Sequence, residues 1–569
     1  MSRASYVQLA YCVTTIALMS SVMMNQRGYQ DTWILQDILI PTGVYIFAFV
    51  LTVISTKNAR HLSLICSSFI ITMNAVPNLK YTLFYGTYDS AAHYGFVSDL
   101  LRLSHVPESG FYASYYGSHP GMHLFIASLS LVLGISAIAG VKLFTSGIFG
   151  IIPLMTYFVT KGVEGNLRRN IIIASALPVV SGYILLGATF GDILYFAFIC
   201  VLIGGIFRSH KGSPHSLTLL ILGCALLFSH AVTMVVLLLT LGVLVFLSAL
   251  RPVQHARDYM SNVARIFMIL LVSWLSLETV NSIYIFRDVA TAVQEMLFGV
   301  PMSGVPIQFG GLAPFARFRL LLVSDGGDAV ILLLGLLGLA ILLKRRTQCR
   351  QMLDRIYLPL VAIETGIGAL LFMQLAYGAT TLGEYHRSIT YGMMFQPFFS
   401  GLALWRLGKS RYKHRLIFTI LIMFLSISVC LIQFFPYQPM VPVVDVSSKE
   451  PPGKEYVLDM RMVNSVSQLL CIGFAERYSP SDANIASDRV TRWQINGFAS
   501  ESFASRHIYF SPLDTDMTGR WNIFLLHYDG FAGPLSEEAE YRTDEEIRTL
   551  QDYLGNVVYH NGGSFIIEQ

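Results

Sequence analysis

Charge is what this chain lacks most. Only 13% of its 569 residues are Asp, Glu, Lys or Arg, against about 25% in a soluble globular protein. With 54% hydrophobic residues and a mean hydropathy of +0.57, the deficit excludes an ordinary soluble enzyme. Cysteine is sparse too. The seven cysteines, at 12, 66, 200, 224, 349, 430 and 471, form no CxxC pair and no Cys/His array, so neither a disulfide framework nor structural zinc is supported. There is no Walker A sequence and no GxGxxG in a strand–turn–helix setting, which leaves an ATP-driven pump and a nucleotide cofactor unsupported. Internal repeats and low-complexity segments are missing as well. The basic residues sit in short clusters beside apolar runs, so no nucleic-acid partner is implied.

What the chain does have is long apolar runs. A helix needs about 20 residues to cross the hydrocarbon core, and backbone groups in lipid must be satisfied within the segment. Runs near 5–24, 34–56, 62–79, 119–139, 141–160, 170–188, 191–207, 216–250 (one long span or two short ones), 263–285, 327–343, 356–377, 389–407 and 415–436 are therefore expected as helices. The fold class that follows is an α-helical polytopic membrane protein with about 12–14 transmembrane helices and a small C-terminal α/β extracytoplasmic domain. The first run lacks a small-residue cleavage site and reads as a retained anchor.

The charges that exist are unevenly placed. Residues 437–569 carry 19 acidic and 10 basic side chains, and residues 1–436 carry 16 and 29. Basic clusters at Lys57 and Arg60; Lys161, Arg168 and Arg169; Arg208 and Lys211; Arg251 and Arg257; Lys344 to Arg355; and Lys409 to Arg415 mark the cytoplasmic loops. That places 80–118, 286–326, 378–388 and the tail outside, in a multi-pass protein of the cell membrane. One conflict arises: two full spans between 119 and 160 would put the basic loop at 161–169 on the wrong side. The division expected is a transmembrane domain over 1–436, with an outer loop at 80–118, and a soluble domain over 437–569 reached through Pro436, Pro439, Pro442, Pro451 and Pro452. Within the tail, Arg520–Tyr528 reads as a buried strand and Thr543–Leu554 as a short helix with a capping box at Thr543 and Glu546. Residues 556–567 read as a hairpin turning at Asn561-Gly562-Gly563.

The outer loop carries the candidate chemistry. Tyr88-Asp89-Ser90-Ala91-Ala92-His93-Tyr94 leads to Asp99, Arg102 and His105, and Tyr116-Gly117-Ser118-His119-Pro120-Gly121-Met122-His123 opens the next span. Asp89 suits a general base or a metal ligand, and equally a cap for a helix starting at Ser90. His93, four residues on, shares its face in a helix and could reach a phosphate or a metal; a partly exposed interfacial histidine is the plainer reading. Lys80, His93, Asp99, His105, His119 and His123 are expected to gather at one membrane face. His119 and His123 lack an HExxH context, so a zinc-hydrolase reading is weak. Gly191-Asp192 is expected to open a span, where Asp192 serves either function or capping. Arg317, after Phe309 to Pro314, and Glu384-Tyr385-His386-Arg387 supply cations that grip phosphate or snorkel to the interface.

Taken together, the aspartate of the first outer loop, the Tyr116-x-x-His119-Pro120-Gly121 opening of the next span, Gly191-Asp192 and the tail segments Ser487-Asp488-Arg489-Val490 and Val558-Tyr559-His560-Asn561-Gly562 resemble the GT-C type integral membrane glycosyltransferases. The likeness is closest to the mannosyltransferase and aminoarabinose-transferase kinds, which use polyprenyl-phosphate-linked sugars. Many relatives have paired acidic residues in that loop, whereas Ser90 follows Asp89 here. The resemblance implies an inverting transfer of sugar from a polyprenyl-phosphate donor to an acceptor hydroxyl on a glycan, lipid or protein at the outer face. Asp89 would be catalytic; Arg387, His93, His386 and Arg317 would hold the donor phosphate; and Asp192, Asp99, His119 and Glu384 would serve the acceptor or a metal. A divalent cation stays open as cofactor. A lipid-linked oligosaccharide polymerase or ligase would use the same arginines. A glycolipid flippase or transporter should place ionisable groups in midplane cavities between repeated halves, a pattern the sequence does not show.

Overall fold

The computed structural model describes residues 3–24, 35–80, 85–87, 90–106, 119–163, 165–177, 186–208, 214–250, 257–280, 326–344, 382–408, 417–427, 461–463 and 466–478, the short strands 485–487, 507–509, 523–527, 556–560 and 564–568, and a few single positions. In chain order the helices are α1 (Arg3–Met24), α2 (Leu35–Ser55), α3 (Ala59–Lys80), α4 (Ser90–Leu103), α5 (Gly121–Leu133), α6 (Ala137–Gly147), α7 (Ile151–Val159), α8 (Gly165–Ala174), α9 (Leu186–Arg208), α10 (Pro214–Leu227), α11 (Ala231–Leu250), α12 (Arg257–Val280), α13 (Gly326–Lys344) and α14 (Leu382–Gly408). Two more follow: α15 (Ile417–Ile427) and α16 (Val466–Tyr478). The expected spans at 34–56, 62–79, 191–207, 327–343 and 389–407 thus coincide with helices. The expected span at 356–377 lies outside the described residues.

Helix α3 is the hub, packing on α1, α2, α6, α7 and α8. Its inner face carries an aromatic stack, with the rings of Phe49 and Phe69 3.9 Å apart and the Tyr11 and Tyr45 hydroxyls 2.9 Å apart. Polar groups buried on α3 are satisfied across helices. The Asn78 amide donates to Thr145 Oγ1 at 3.0 Å and to Ser146 Oγ at 3.2 Å. The Ser67 hydroxyl donates to the Gly150 carbonyl, which the 3₁₀ turn Ile148–Gly150 between α6 and α7 turns outward. Outward-facing side chains such as Val132, Leu131, Leu333 and Ile221 are exposed and apolar, a pattern that water would penalise and lipid would not.

Among the described residues, four helical stretches are long and apolar enough to cross a membrane: Tyr6–Met24, Ala59–Val76, Ala137–Val159 and Asp258–Leu277, with shorter apolar helices around them. The expected span at 119–139 is not one helix. Gly134 adopts a left-handed conformation (φ +63°) and closes α5: its N–H bonds Leu131 O and the Ile135 N–H bonds Ser130 O. This is the glycine-dependent helix stop, and Ser136 caps α6 at once by accepting from the Ala139 N–H. The 13 residues of α5 rise only about 20 Å, short of the ~30 Å hydrocarbon core, so the charge conflict at 161–169 loses its premise. The expected run at 216–250 is two helices, α10 and α11, broken at Phe228–His230.

On one face of the bundle, the Arg169 guanidinium donates to the carbonyls of Val53 and Ile54 at 2.7 and 2.8 Å. It satisfies orphan carbonyls at the C-terminus of α2. The basic residues at 57–60 and 168–169 therefore share a side.

At the other end, strand β1 (Tyr85–Thr87) pairs antiparallel with β2 (Arg461–Val463), which puts the strand before α4 and the C-terminal part on a common side. A five-stranded mixed sheet runs in the order β4 (His507–Tyr509), β3 (Ile485–Ser487), β5 (Ile523–His527), β7 (Ser564–Glu568), β6 (Asn556–His560). The β3 pairings are parallel, and β5–β7 and β6–β7 are antiparallel. The strand at 520–528 and the hairpin at 556–567 fall where the sequence puts them; the expected helix at 543–554 and the boundary at 437 lie outside the described residues.

Helix α14 packs on α8 and on α13 through small residues, as membrane helices do when van der Waals packing drives association. A Cβ on Gly401 would sit 2.6 Å from the backbone Cα of Ile171, whereas one on Gly204 would meet nothing within 4 Å. Gly401→Ala should therefore destabilise the detergent-solubilised protein by about 1–3 kcal/mol, and Gly204→Ala should be neutral or slightly stabilising. Heat-induced aggregation midpoints of the two variants check this; equal midpoints would mean α8 and α14 lie further apart.

Candidate functional site

Asp89 itself is outside the described residues, but both of its flanks are described. Strand β1 ends at Thr87, two positions before it, and α4 begins at Ser90, immediately after it. Helix α4 docks through an apolar stripe. Phe96, Val97 and Leu100 are buried against Met122, Ile126 and Ala127 of α5, Val141 and Phe144 of α6 and Phe190 of α9. Residues at i, i+3/i+4 and i+7 form one face of a helix, and here that face starts at His93.

His93 is buried rather than interfacial. Its Nδ1 lies 2.9 Å from Nε2 of the equally buried His123, and the edge of Phe96 packs on the His123 ring with centroids 4.5 Å apart. For two neutral imidazoles, this bond requires one ring to present N–H and the other its lone pair.

The expected gathering of six polar residues is only partly met. His93 and His123 come together. Asp99 instead pairs with Arg102 at 2.9 Å on the outer surface of α4, and exposed His105 turns its Nδ1 to the Val106 carbonyl at 2.9 Å. His119 lies ahead of α5, partly buried, and that burial pushes its imidazole down to about 4, so it is neutral near pH 7. The side chain of Lys80 lies outside the described residues.

Asp192 does not open a helix. Helix α9 starts at Leu186, so Asp192 sits in its second turn, and its side chain is buried. That removes the capping explanation, since capping belongs to the residue that precedes the first turn. Glu384, His386 and Arg387 likewise lie in the first two turns of α14, which begins at Leu382, rather than in a loop. Arg317 lies outside the described residues. Among the described residues, no three His, Cys, Asp or Glu side chains converge on a point that could hold a metal ion.

A second histidine plays a part the sequence reading did not give it. At the α10–α11 break, His230 Nδ1 accepts from the Thr233 backbone N–H at 3.2 Å and lies 2.7 Å from Thr233 Oγ1. It is the N-cap of α11, and that role puts the proton of the neutral ring on Nε2. The break also anchors α5, whose Gly121 N–H donates to the Phe228 carbonyl at 2.8 Å. From α9, Gly191 approaches so closely that a Cβ there would lie 2.8 Å from His230 Cβ. The sequence signal was Ser229-His230, with Thr233 three residues on, inside an otherwise apolar run. Contacts thus lead from the helix that follows Asp89, through His93–His123 and the α10–α11 break, to the helix carrying Asp192.

No known protein family and no characterised protein matches the sequence. In fold, the chain is similar to the archaeal oligosaccharyltransferase AglB from Archaeoglobus fulgidus, solved in complex with an inhibitory peptide and a dolichol-phosphate. The TM-score is 0.53 at 10% identity, covering 82% of this chain and 69% of that one. A more distant likeness is to ArnT from Cupriavidus metallidurans bound to undecaprenyl phosphate, with a TM-score of 0.43 at 10% identity, covering 90% of this chain and 97% of that one. At such identity the likeness is one of architecture alone: the chain shares its polytopic helical fold with that oligosaccharyltransferase.

Proposed function

We propose that this chain is a membrane glycosyltransferase that moves a sugar from a polyprenyl-phosphate-linked donor to an acceptor hydroxyl at the outer face, inverting the anomeric carbon. The observation that supports this reading is the pair of elements flanking position 89, a strand and a helix each held from outside the 80–118 segment, on a chain similar in fold to an oligosaccharyltransferase solved with a dolichol-phosphate.

In this reading the Asp89 carboxylate takes the acceptor hydroxyl proton as its oxygen attacks the anomeric carbon. The bond to the lipid phosphate breaks, and the phosphate leaves with the bonding electrons. The donor is already activated, so no nucleotide is consumed. Arg387 and His386, at the start of α14, and Arg317 are the cations assigned to the growing phosphate charge, because fixed donors aimed at developing charge are the usual source of such stabilisation. Buried His93 is better suited to fastening α4 than to gripping a lipid phosphate. We assign residues 437–569 to an extracytoplasmic α/β domain, consistent with the sheet and with the shared side of β1 and β2.

Two measurements test this. In membranes supplied with radiolabelled polyprenyl-phosphate sugars, Asp89→Asn should lower transfer about 100- to 10,000-fold, the range a general base contributes. Transfer at the wild-type rate removes Asp89 from the chemistry, and labelled lipid crossing the bilayer without a new glycosidic bond would make the protein a transporter.

The histidine pair is assigned to fastening α4 on α5 rather than to binding the donor. His93→Phe and His123→Phe should each lower the thermal midpoint, because each strands a buried partner at about 1–3 kcal/mol. The double variant should lose less than the sum. KM for the lipid donor should stay near wild type in all three. A KM rise confined to His93→Phe would return His93 to the phosphate site.

A further inference from the structure

The ladder between β1 and β2 joins the stretch just before Asp89 to the C-terminal part of the chain, with Tyr85 opposite Val463, Gly86 opposite Met462 and Thr87 opposite Arg461. Two three-residue strands do not hold together alone in water, so each must be delivered by something larger. Strand β1 starts five residues after α3, the hub of the bundle, and packs on α4. Strand β2 ends three residues before α16, which buries Ile472 and Ala475 and packs against β5 and β7 of the five-stranded sheet. Sheet, α16, β2, β1 and the 88–89 gap therefore follow one another with only a few residues of slack.

We propose that Arg461–Val463 is a positioning element of the transferase site: by pairing with Tyr85–Thr87 it fixes the approach to Asp89, so the C-terminal part completes the site rather than merely accompanying it. The proposal rests on Asp89 being the base. A tail strand that only lent stability would leave the ratio of kcat to donor KM unmoved in the folded protein, whereas a positioning strand acts on kcat.

The geometry supplies its own control. In an antiparallel ladder, a residue that bonds its partner directs both N–H and C=O towards it, and the next residue directs both away. Proline at 461 and proline at 462 each remove an N–H and fix φ, but only one takes a bond from this ladder. In full-length protein in membranes, one of Arg461→Pro and Met462→Pro should lower kcat about tenfold or more, with donor KM unchanged, and the other should transfer as wild type. Equal loss in both, or no loss in either, overturns the proposal.

A cross-link guards against misfolding as the explanation. Opposed strand residues lie about 4.5–5.5 Å apart at Cα, within disulfide reach. The Tyr85→Cys/Val463→Cys pair should therefore oxidise in the native membrane, judged against each single variant, and keep its transfer activity. Added to the damaging proline variant, it should restore kcat. Failure to cross-link, or a cross-linked proline variant that stays slow, overturns the positioning role. If the cross-link forms and only Asp89→Asn is silent, the base assignment falls while the ladder stands; if Asp89→Asn is inactive and both prolines are harmless, the ladder's role falls alone.

Discussion

The contact between His93 and His123 ties α4 to α5, and the way α4 docks on the bundle depends on it. Two imidazoles packed among Phe96, Met122 and Ile126 have left water, and a buried polar group is tolerated where it is hydrogen-bonded. The 2.9 Å bond between them is directional in a way the surrounding apolar contacts are not. The stripe of Phe96, Val97 and Leu100 contributes non-directional burial, whereas the imidazole pair needs its two ring nitrogens opposed. Burial supplies the attraction, and the histidine pair supplies a directional contact between α4 and α5.

The same logic governs the helix interruptions. Backbone groups freed in an apolar setting must find partners nearby, and each break described here does. The Phe228 carbonyl takes the Gly121 N–H, His230 caps α11, Ser67 takes the Gly150 carbonyl, and Arg169 takes the carbonyls at the end of α2. These satisfied breaks are also junctions: α5 and α9 both come in at the α10–α11 break. Interruption and convergence have the same cause, since an opened helix end is a polar socket that only another element can fill.

Much of this was legible in the sequence. Apolar runs located most helices because lipid allows the backbone few alternatives, and the hairpin at 556–567 announced itself by Asn561-Gly562-Gly563. The end of α5 could have been read from Gly134 followed by Ser136, a glycine stop and a serine start two residues apart, which the apolar composition of 119–139 masked. The start of α9 at Leu186 was misplaced for the opposite reason: Gly191-Asp192 has the chemistry of a helix start, yet the glycine serves a close approach to His230. The ladder between 85–87 and 461–463 was not legible. Three-residue strands carry no period, and pairing across most of the chain leaves no local trace. Of the candidate site, the residue types were visible and their partners were not: nothing in spacing tells that Asp99 meets Arg102 while His93 meets His123.

The held flanks matter because order at a reacting group has to come from somewhere. Fixing the backbone of one residue costs roughly 1–2 kcal/mol, and a loop as long as 81–118 would bear that cost at the moment of reaction if nothing had settled it beforehand. Here the cost of ordering Tyr85–Thr87 and Ser90–Leu103 is met during folding, by the apolar seam under α4 on one side and by the β1–β2 ladder on the other. The seam belongs to the bundle and the ladder to the C-terminal part, so neither alone fixes both flanks. For the role proposed for Asp89, a strand and a helix fixed on either side of it supply the order that a reacting group needs before its substrate arrives.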